Sequence, residues 1–88
     1  MYTVYAIYSE SHNKIYIGYT SDIEGRLIAH NHPKNKGWTK HYIPWILVYS
    51  EQFEIKAEAM AREKQLKSYQ GRQFVWEKVA NYKLKDLI

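Results

Sequence analysis

Two runs rich in Tyr, Val and Ile, Tyr2 to Ser9 and Lys14 to Tyr19, flank a four-residue polar stretch, Glu10-Ser11-His12-Asn13. No other feature constrains the fold of this chain as much. β-Branched and aromatic side chains suit the pleated surface of a strand, and a short polar link between two such runs reads as a hairpin. If those four residues are the whole loop, Ser9 faces Lys14, Ile7 faces Tyr16 and Tyr5 faces Gly18. Tyr5 and Tyr16 then share one face as diagonal neighbours. A slip of one residue would send them to opposite faces.

Beyond the hairpin, Ser21 is placed to cap a helix, with Glu24 three residues later able to reach back as in a capping box, so a helix is expected from about Asp22. Ile23 and Leu27 give it an apolar face, and Arg26 and His30, four apart, stack on a neighbouring one. From Asn31 to Pro44 the periodicity gives way to a basic loop carrying Lys34, Lys36 and Lys40, with Trp38 and Tyr42 between the charges. The apolar run Trp45 to Tyr49 has strand length and reads as a central strand covered on both faces. Lys56 to Ser68 is built of good helix formers, with Gly71 placed to end it or to separate it from the next segment. A last helix is expected over Arg72 to Ala80, burying Phe74, Val75 and Val79. The expected fold is α+β, a three-stranded antiparallel sheet flanked by three helices in the order β-β-α-β-α-α, as a single domain over residues 1–88.

Eighty-eight residues hold one core, and nine Tyr, three Trp and two Phe supply much of its area. Thirteen Lys and Arg against nine Asp and Glu leave a net charge of +4, which favours polyanionic partners. Without cysteine there is neither a disulfide framework nor a thiolate metal site. That fits a reducing compartment, and the cytoplasm is the expected location. The apolar run at Trp45 is far too short to span a bilayer, so no membrane association is expected.

Two tyrosines on one sheet face, an arginine and a histidine on the next helix and a carboxylate at Glu63 together read as a phosphodiesterase site. Each residue also has a plain structural role: strand tyrosines, a solvated helix face, and for Glu63 a surface ion pair with Lys67 four residues on. A helical wheel nevertheless sets Glu63 between Ala59, Met60 and Leu66, on the stripe that faces the protein. His30, His32 and His41 lack the spacing of a zinc site and read as loop histidines. No close carboxylate pair suggests two metals. The loop lysines with Trp38 and Tyr42 suit phosphates and an unpaired base, or equally a solvated loop with its aromatics tucked into the core.

These residues resemble the GIY-YIG nuclease family, specifically its short stand-alone members. The second signature stands as Tyr16-Ile17-Gly18. The first falls by spacing on Thr3-Val4-Tyr5, with Thr in place of Gly; Ala6-Ile7-Tyr8 looks nearer but shortens the interval to Tyr16. Arg26 and His30 follow at the family's intervals, Pro44-Trp45 and Val48-Tyr49 resemble the start of its third strand, and Arg62 to Lys67 its acidic helix motif. The resemblance implies hydrolysis of DNA by a metal-dependent endonuclease with low or structure-based sequence specificity, using one Mg or Mn ion held by Glu63. Arg26 would meet the phosphate as a permanently charged fork. Tyr5 or Tyr16 would position or deprotonate water, although a phenol with a pKa of about 10 needs help at neutral pH. His30, with an ordinary pKa of about 6.5, is the other candidate base. Lys64 and Lys67 join Lys34, Lys36, Trp38 and Lys40 as expected nucleic-acid contacts, and Asn81 lies near where family members carry a functional Asn. RNA is a second substrate class, and a protein partner or homo-oligomer a route to targeting. Repair, restriction and mobile-element biology are roles open to such a domain. The alternative is a catalytically impaired nucleic-acid-binding module of the same fold, suggested by Thr3.

Overall fold

The polar link closes a tight hairpin because Asn13 adopts φ +52°, a left-handed conformation that Asn tolerates better than most residues. Its Oδ1 accepts the Tyr8 hydroxyl at 2.9 Å. The structure is a computed structural model that describes residues 1–85. Its elements are β1 (Tyr2–Ser9), β2 (Lys14–Thr20), α1 (Ile23–His30), a short 3-10 helix (Trp38–Tyr42), β3 (Ile46–Phe53), α2 (Lys56–Leu66) and α3 (Tyr69–Lys85). The sheet is antiparallel in the order β2-β1-β3. Ser9 pairs with Lys14, Ile7 with Tyr16 and Tyr5 with Gly18, so both phenols share one face as the hairpin reading expects.

Each face of the sheet carries its own core. Val4, Ala6 and Tyr8 of β1, with Ile15 and Ile17 of β2, pack against Ala59 and Leu66 of α2 and Val75 and Val79 of α3. On the other face Tyr5, Ile7 and Trp45 are buried against Tyr16, Ile23, Leu27, Tyr42 and Ile43. A strand sandwiched this way must be apolar at nearly every position, and β1 is: Thr3 to Ser9 are all buried.

Three expectations need correction. The central strand is β1, whereas β3 is an edge strand that runs from Ile46 to Phe53, three of whose last four residues, Ser50, Glu51 and Gln52, are polar and suited to its half-open position. The cap of α1 is Asp22, not Ser21: its Oδ1 accepts the Gly25 N–H at 3.1 Å, while Thr20 Oγ1 accepts the Asp22 N–H at 3.1 Å. Gly71 ends nothing. It is buried inside α3, which starts three residues sooner and runs five residues further than its sequence pattern suggested. The break falls at Lys67-Ser68, where Ser68 Oγ accepts the Gly71 N–H at 3.2 Å. A Cβ at Gly71 would collide with the backbone of Gln65 and Leu66, so the glycine is there for close approach of two helices.

Candidate active site

The hairpin register sets Tyr5 and Tyr16 side by side, ring centroids 6.3 Å apart, and α1 lies across that face so that its last residue, His30, meets both. His30 is 5.8 Å from the Tyr5 ring and 4.9 Å from the Tyr16 ring. The Tyr5 hydroxyl and His30 Nε2 form a buried hydrogen bond of 2.8 Å. Gly18 permits this: a Cβ there would stand 2.8 Å from Tyr5 Oη and 3.1 Å from Tyr16 Cε1. Any side chain at this position would crowd the Tyr5 hydroxyl, so only glycine lets the buried ring sit where it meets His30.

Arg26 lies one helical turn before His30. It lines a cleft of about 210 Å³ with Tyr16, Ala29, His30, Asn35, Gly37, Trp38 and Thr39. The side chain is exposed and makes no ion pair among the described residues, so its charge is available to an anion. Burial and the Arg26 guanidinium hold His30 below its ordinary pKa, which keeps the imidazole neutral near pH 7. Tyr5 is pushed well above the usual phenol range by burial, with Tyr16 and Glu63 adding to the rise and Arg26 opposing it. The help that a phenol base would require from Arg26 is therefore outweighed here.

The loop after α1 is held by its own amides. Asn31 bonds both the N–H and the C=O of Trp45, and Asn35 donates to the His30 carbonyl at 3.1 Å and to Thr39 Oγ1 at 2.6 Å. Thr39 Oγ1 in turn lies 2.9 Å from His30 Nδ1. Trp38, about half exposed, lies nearly parallel to Tyr16 at 6.4 Å and packs on Tyr42 at 4.6 Å. Trp38 thus stands at the mouth of the site, while Tyr42 packs against the core of Tyr5, Ile7 and Trp45.

Glu63 occupies a different layer. Helix α2 covers the sheet face opposite the phenols, and the Glu63 side chain, 21% exposed, pairs with Lys67 Nζ at 3.3 Å, the ion pair that its sequence spacing offers. Its charge still reaches Tyr5, as the smallest of the influences on that phenol, and adds to the rise that burial causes. Lys67 lines a second groove with Tyr16, Trp38 and Arg72, which joins the end of α2 to the phenol side. Lys34, Lys36 and Lys40 are exposed on and beside the loop. Lys64 lies elsewhere, in a groove of about 740 Å³ with Glu51, Phe53, Glu58 and Arg62. Asn81 lies in a depression beside β3 with Leu47, Val48 and Lys78, away from the tyrosines. No group of three or more His, Asp or Glu side chains gathers into a metal cage among the described residues.

A β-hairpin presenting paired tyrosines to an arginine and a histidine on the following helix is the arrangement of a GIY-YIG domain. The chain belongs to the GIY-YIG family, a nuclease family: the family model, described as the GIY-YIG catalytic domain, matches residues 1–75. Within that family its relatives are UPF0213 proteins, small stand-alone members. It is 43% identical over 61 residues to one from Staphylococcus haemolyticus, covering 69% of this chain and 74% of that one. It is 39% identical over 59 residues to one from Staphylococcus aureus, covering 67% and 72%. The solution NMR structure of a UPF0213 protein from Bacillus halodurans superposes with a TM-score of 0.52 at 29% identity, over 88% of this chain and 84% of that one. No helix among the described residues is long and apolar enough to cross a membrane.

Sequence reasoning passed over Gly18 as a steric requirement, Thr39, Asn35 and Arg72. The first was legible in the register, since Gly18 faces Tyr5 across the hairpin. The other three become neighbours of the site only through the path of the loop and the start of α3.

Proposed function

We propose that this protein is a metal-dependent endonuclease that hydrolyses DNA phosphodiester bonds. The observation that carries the reading is the buried Tyr5–His30 hydrogen bond beside a cleft lined by the unpaired guanidinium of Arg26. Phosphodiester hydrolysis needs water activation and neutralisation of charge growing on the phosphoryl oxygens. Arg26 is suited to the second task, its fork holding two oxygens as their charge develops. Tyr16, half-buried on both grooves, is suited to orienting the same group.

Water activation falls to Tyr5 and His30 acting as a pair. A buried phenol that resists ionisation does not wait as a phenolate. It serves instead as a conductor: as water bonds to phosphorus, a water proton passes to the Tyr5 oxygen while the Tyr5 proton passes to His30 Nε2. The P–O bond to the leaving oxygen breaks, and that oxygen takes up a proton from His30 or from solvent. Neutral His30 provides the vacant lone pair that this transfer requires.

The reading includes a single Mg or Mn ion. The donor set offers it one carboxylate, Glu63, which would have to exchange its Lys67 partner for a hard ion held mostly by water and phosphate oxygens. Glu63 would hold it, and the ion would supply charge stabilisation at the phosphate. Trp38, stacked beyond Tyr16, offers its exposed face to a base flanking the scissile phosphate, with Lys34, Lys36 and Lys40 contacting the backbone.

The test is a cleavage panel of flaps, forks, nicked and intact duplexes and single strands with Mg or Mn. Cutting by the wild type, its loss in Glu63→Ala and near-wild-type binding by that variant are expected. The Glu63–Lys67 ion pair is the one observation that favours the alternative, a module that binds nucleic acid without cutting. A wild type that binds but is inert across the whole panel would establish that alternative.

A further inference from the structure

Behind His30 lies a chain of polar side chains that the reaction above leaves unused. Asn35 Nδ2 is 3.1 Å from the His30 carbonyl oxygen, which only accepts, and its Oδ1 is 2.8 Å from the Gly37 N–H, which only donates. The amide therefore has a single sensible orientation. Its other N–H must point at Thr39 Oγ1, 2.6 Å away. Thr39 Oγ1, buried, then faces His30 Nδ1 at 2.9 Å.

Two proton orderings satisfy these contacts. In one, Thr39 donates to Nδ1 and Nε2–H donates to Tyr5, which leaves the Tyr5 hydroxyl hydrogen with no acceptor among the described residues and turns it, rather than a lone pair, toward the attacking water. In the other, Tyr5 donates to Nε2 and Nδ1–H donates to Thr39, which leaves the Thr39 hydroxyl hydrogen to turn elsewhere. The surroundings decide between them. Tyr5 is 2% exposed, and its hydroxyl has His30 as its one side-chain partner among the described residues. Thr39 is buried as well, at 4% exposed, but it lines the Arg26 cleft and Tyr5 does not, so the cleft gives its hydroxyl hydrogen an outlet. A buried hydroxyl with no acceptor is the costlier choice.

We propose that Thr39, oriented by Asn35, is a positioning residue that holds His30 as the Nδ1–H tautomer and so directs the Nε2 lone pair at the Tyr5 hydroxyl. A hydroxyl oxygen here does for the imidazole what a carboxylate does in hydrolase triads: it fixes ring and tautomer without itself exchanging protons. Because Asn35 occupies one of its lone pairs, the Thr39 oxygen has the other to offer to Nδ1–H.

The assignment rests on the nuclease reading for its consequence but not for its detection. In the full chain labelled with ¹⁵N-histidine, long-range ¹H–¹⁵N correlation reports which nitrogen of His30 carries hydrogen, with His30→Gln identifying the signals. Wild type should show hydrogen on Nδ1. Thr39→Val, close in shape but without the acceptor, should move it to Nε2 or to a mixture, and Thr39→Ser should restore it. In cleavage, Thr39→Val should lower kcat by about 10- to 100-fold, a part of what general-base catalysis commonly provides, with KM changed by less than about twofold. Thr39→Ser should retain activity. Hydrogen on Nε2 in the wild type, or an unchanged tautomer in folded Thr39→Val, would overturn the assignment. If Thr39→Val does not fold, the wild-type spectrum and Thr39→Ser decide. If the wild type cuts nothing, the nuclease reading fails by itself while the tautomer measurement still judges Thr39.

Discussion

At the scale of single residues, the site depends on what is missing as much as on what is present. Tyr5 reaches His30 because Gly18 carries no side chain, and Gly18→Ala would put a methyl group 2.8 Å from the hydroxyl of a buried, hydrogen-bonded ring. Neither the ring nor the backbone can yield freely, so the expected cost is about 1–3 kcal/mol by chemical denaturation, together with loss of cleavage. The charge at Arg26 has its own signature. Its repulsion lowers the His30 pKa, so Arg26→Gln should raise that pKa in an NMR titration, and an unchanged value would remove the guanidinium from the account of the site. Linkage gives a sign as well. A histidine whose folded pKa lies below its unfolded value of about 6.5 binds more protons when unfolded. The stability it confers is full above about pH 6.5 and is lost as pH falls through the folded pKa. His30→Gln should therefore flatten the acid limb of the stability profile, read as the denaturation midpoint against pH.

At the scale of elements, the hairpin was legible because its loop length, composition and side-chain alternation all point to one register, and that register alone brings Tyr5 and Tyr16 together. The third strand was legible as a strand, but not its edge position or its extension to Phe53, because a short apolar run describes a covered strand without saying which neighbour covers it. The run beginning at Trp45 is apolar partly because Trp45 belongs to the core beneath α1, one residue before β3 starts. Gly71 misled for a related reason: sequence shows that a glycine breaks helical pattern, not that two backbones need its space. Gly71→Ala should cost about 3 kcal/mol, the upper end for overpacking, because a Cβ there meets the backbone of Gln65 and Leu66 rather than a pliable side chain. Urea denaturation would show it, and a loss well under 1 kcal/mol would mean that α2 and α3 separate easily. The Thr39–Asn35 pair was hidden for another reason still. Polar residues four apart in a loop become neighbours of a histidine only once the loop's course is fixed by Asn31 and Trp45.

At the scale of the molecule, a net charge of +4 says only that the protein attracts polyanions; what matters is where the charges lie. Lys67 and Arg72 flank the groove that Tyr16 and Trp38 share, on the same side as the Arg26 cleft. Lys64, three residues before Lys67, instead shares its groove with Glu51 and Glu58, whose carboxylates oppose a phosphate backbone. Each phosphate neutralised by a bound cation releases counterions, so the slope of log affinity against log salt counts the contacts made. Arg72→Ala should reduce that slope by about 1 for a short DNA, while Lys64→Ala should leave it nearly unchanged. The comparison is sharp because both variants remove one exposed positive charge from the same small domain, and a field that depended on net charge alone would respond equally to each. Equal slopes for the two variants, measured by fluorescence anisotropy across a salt series, would place the nucleic acid on no particular face and separate the cleft from the surface that binds.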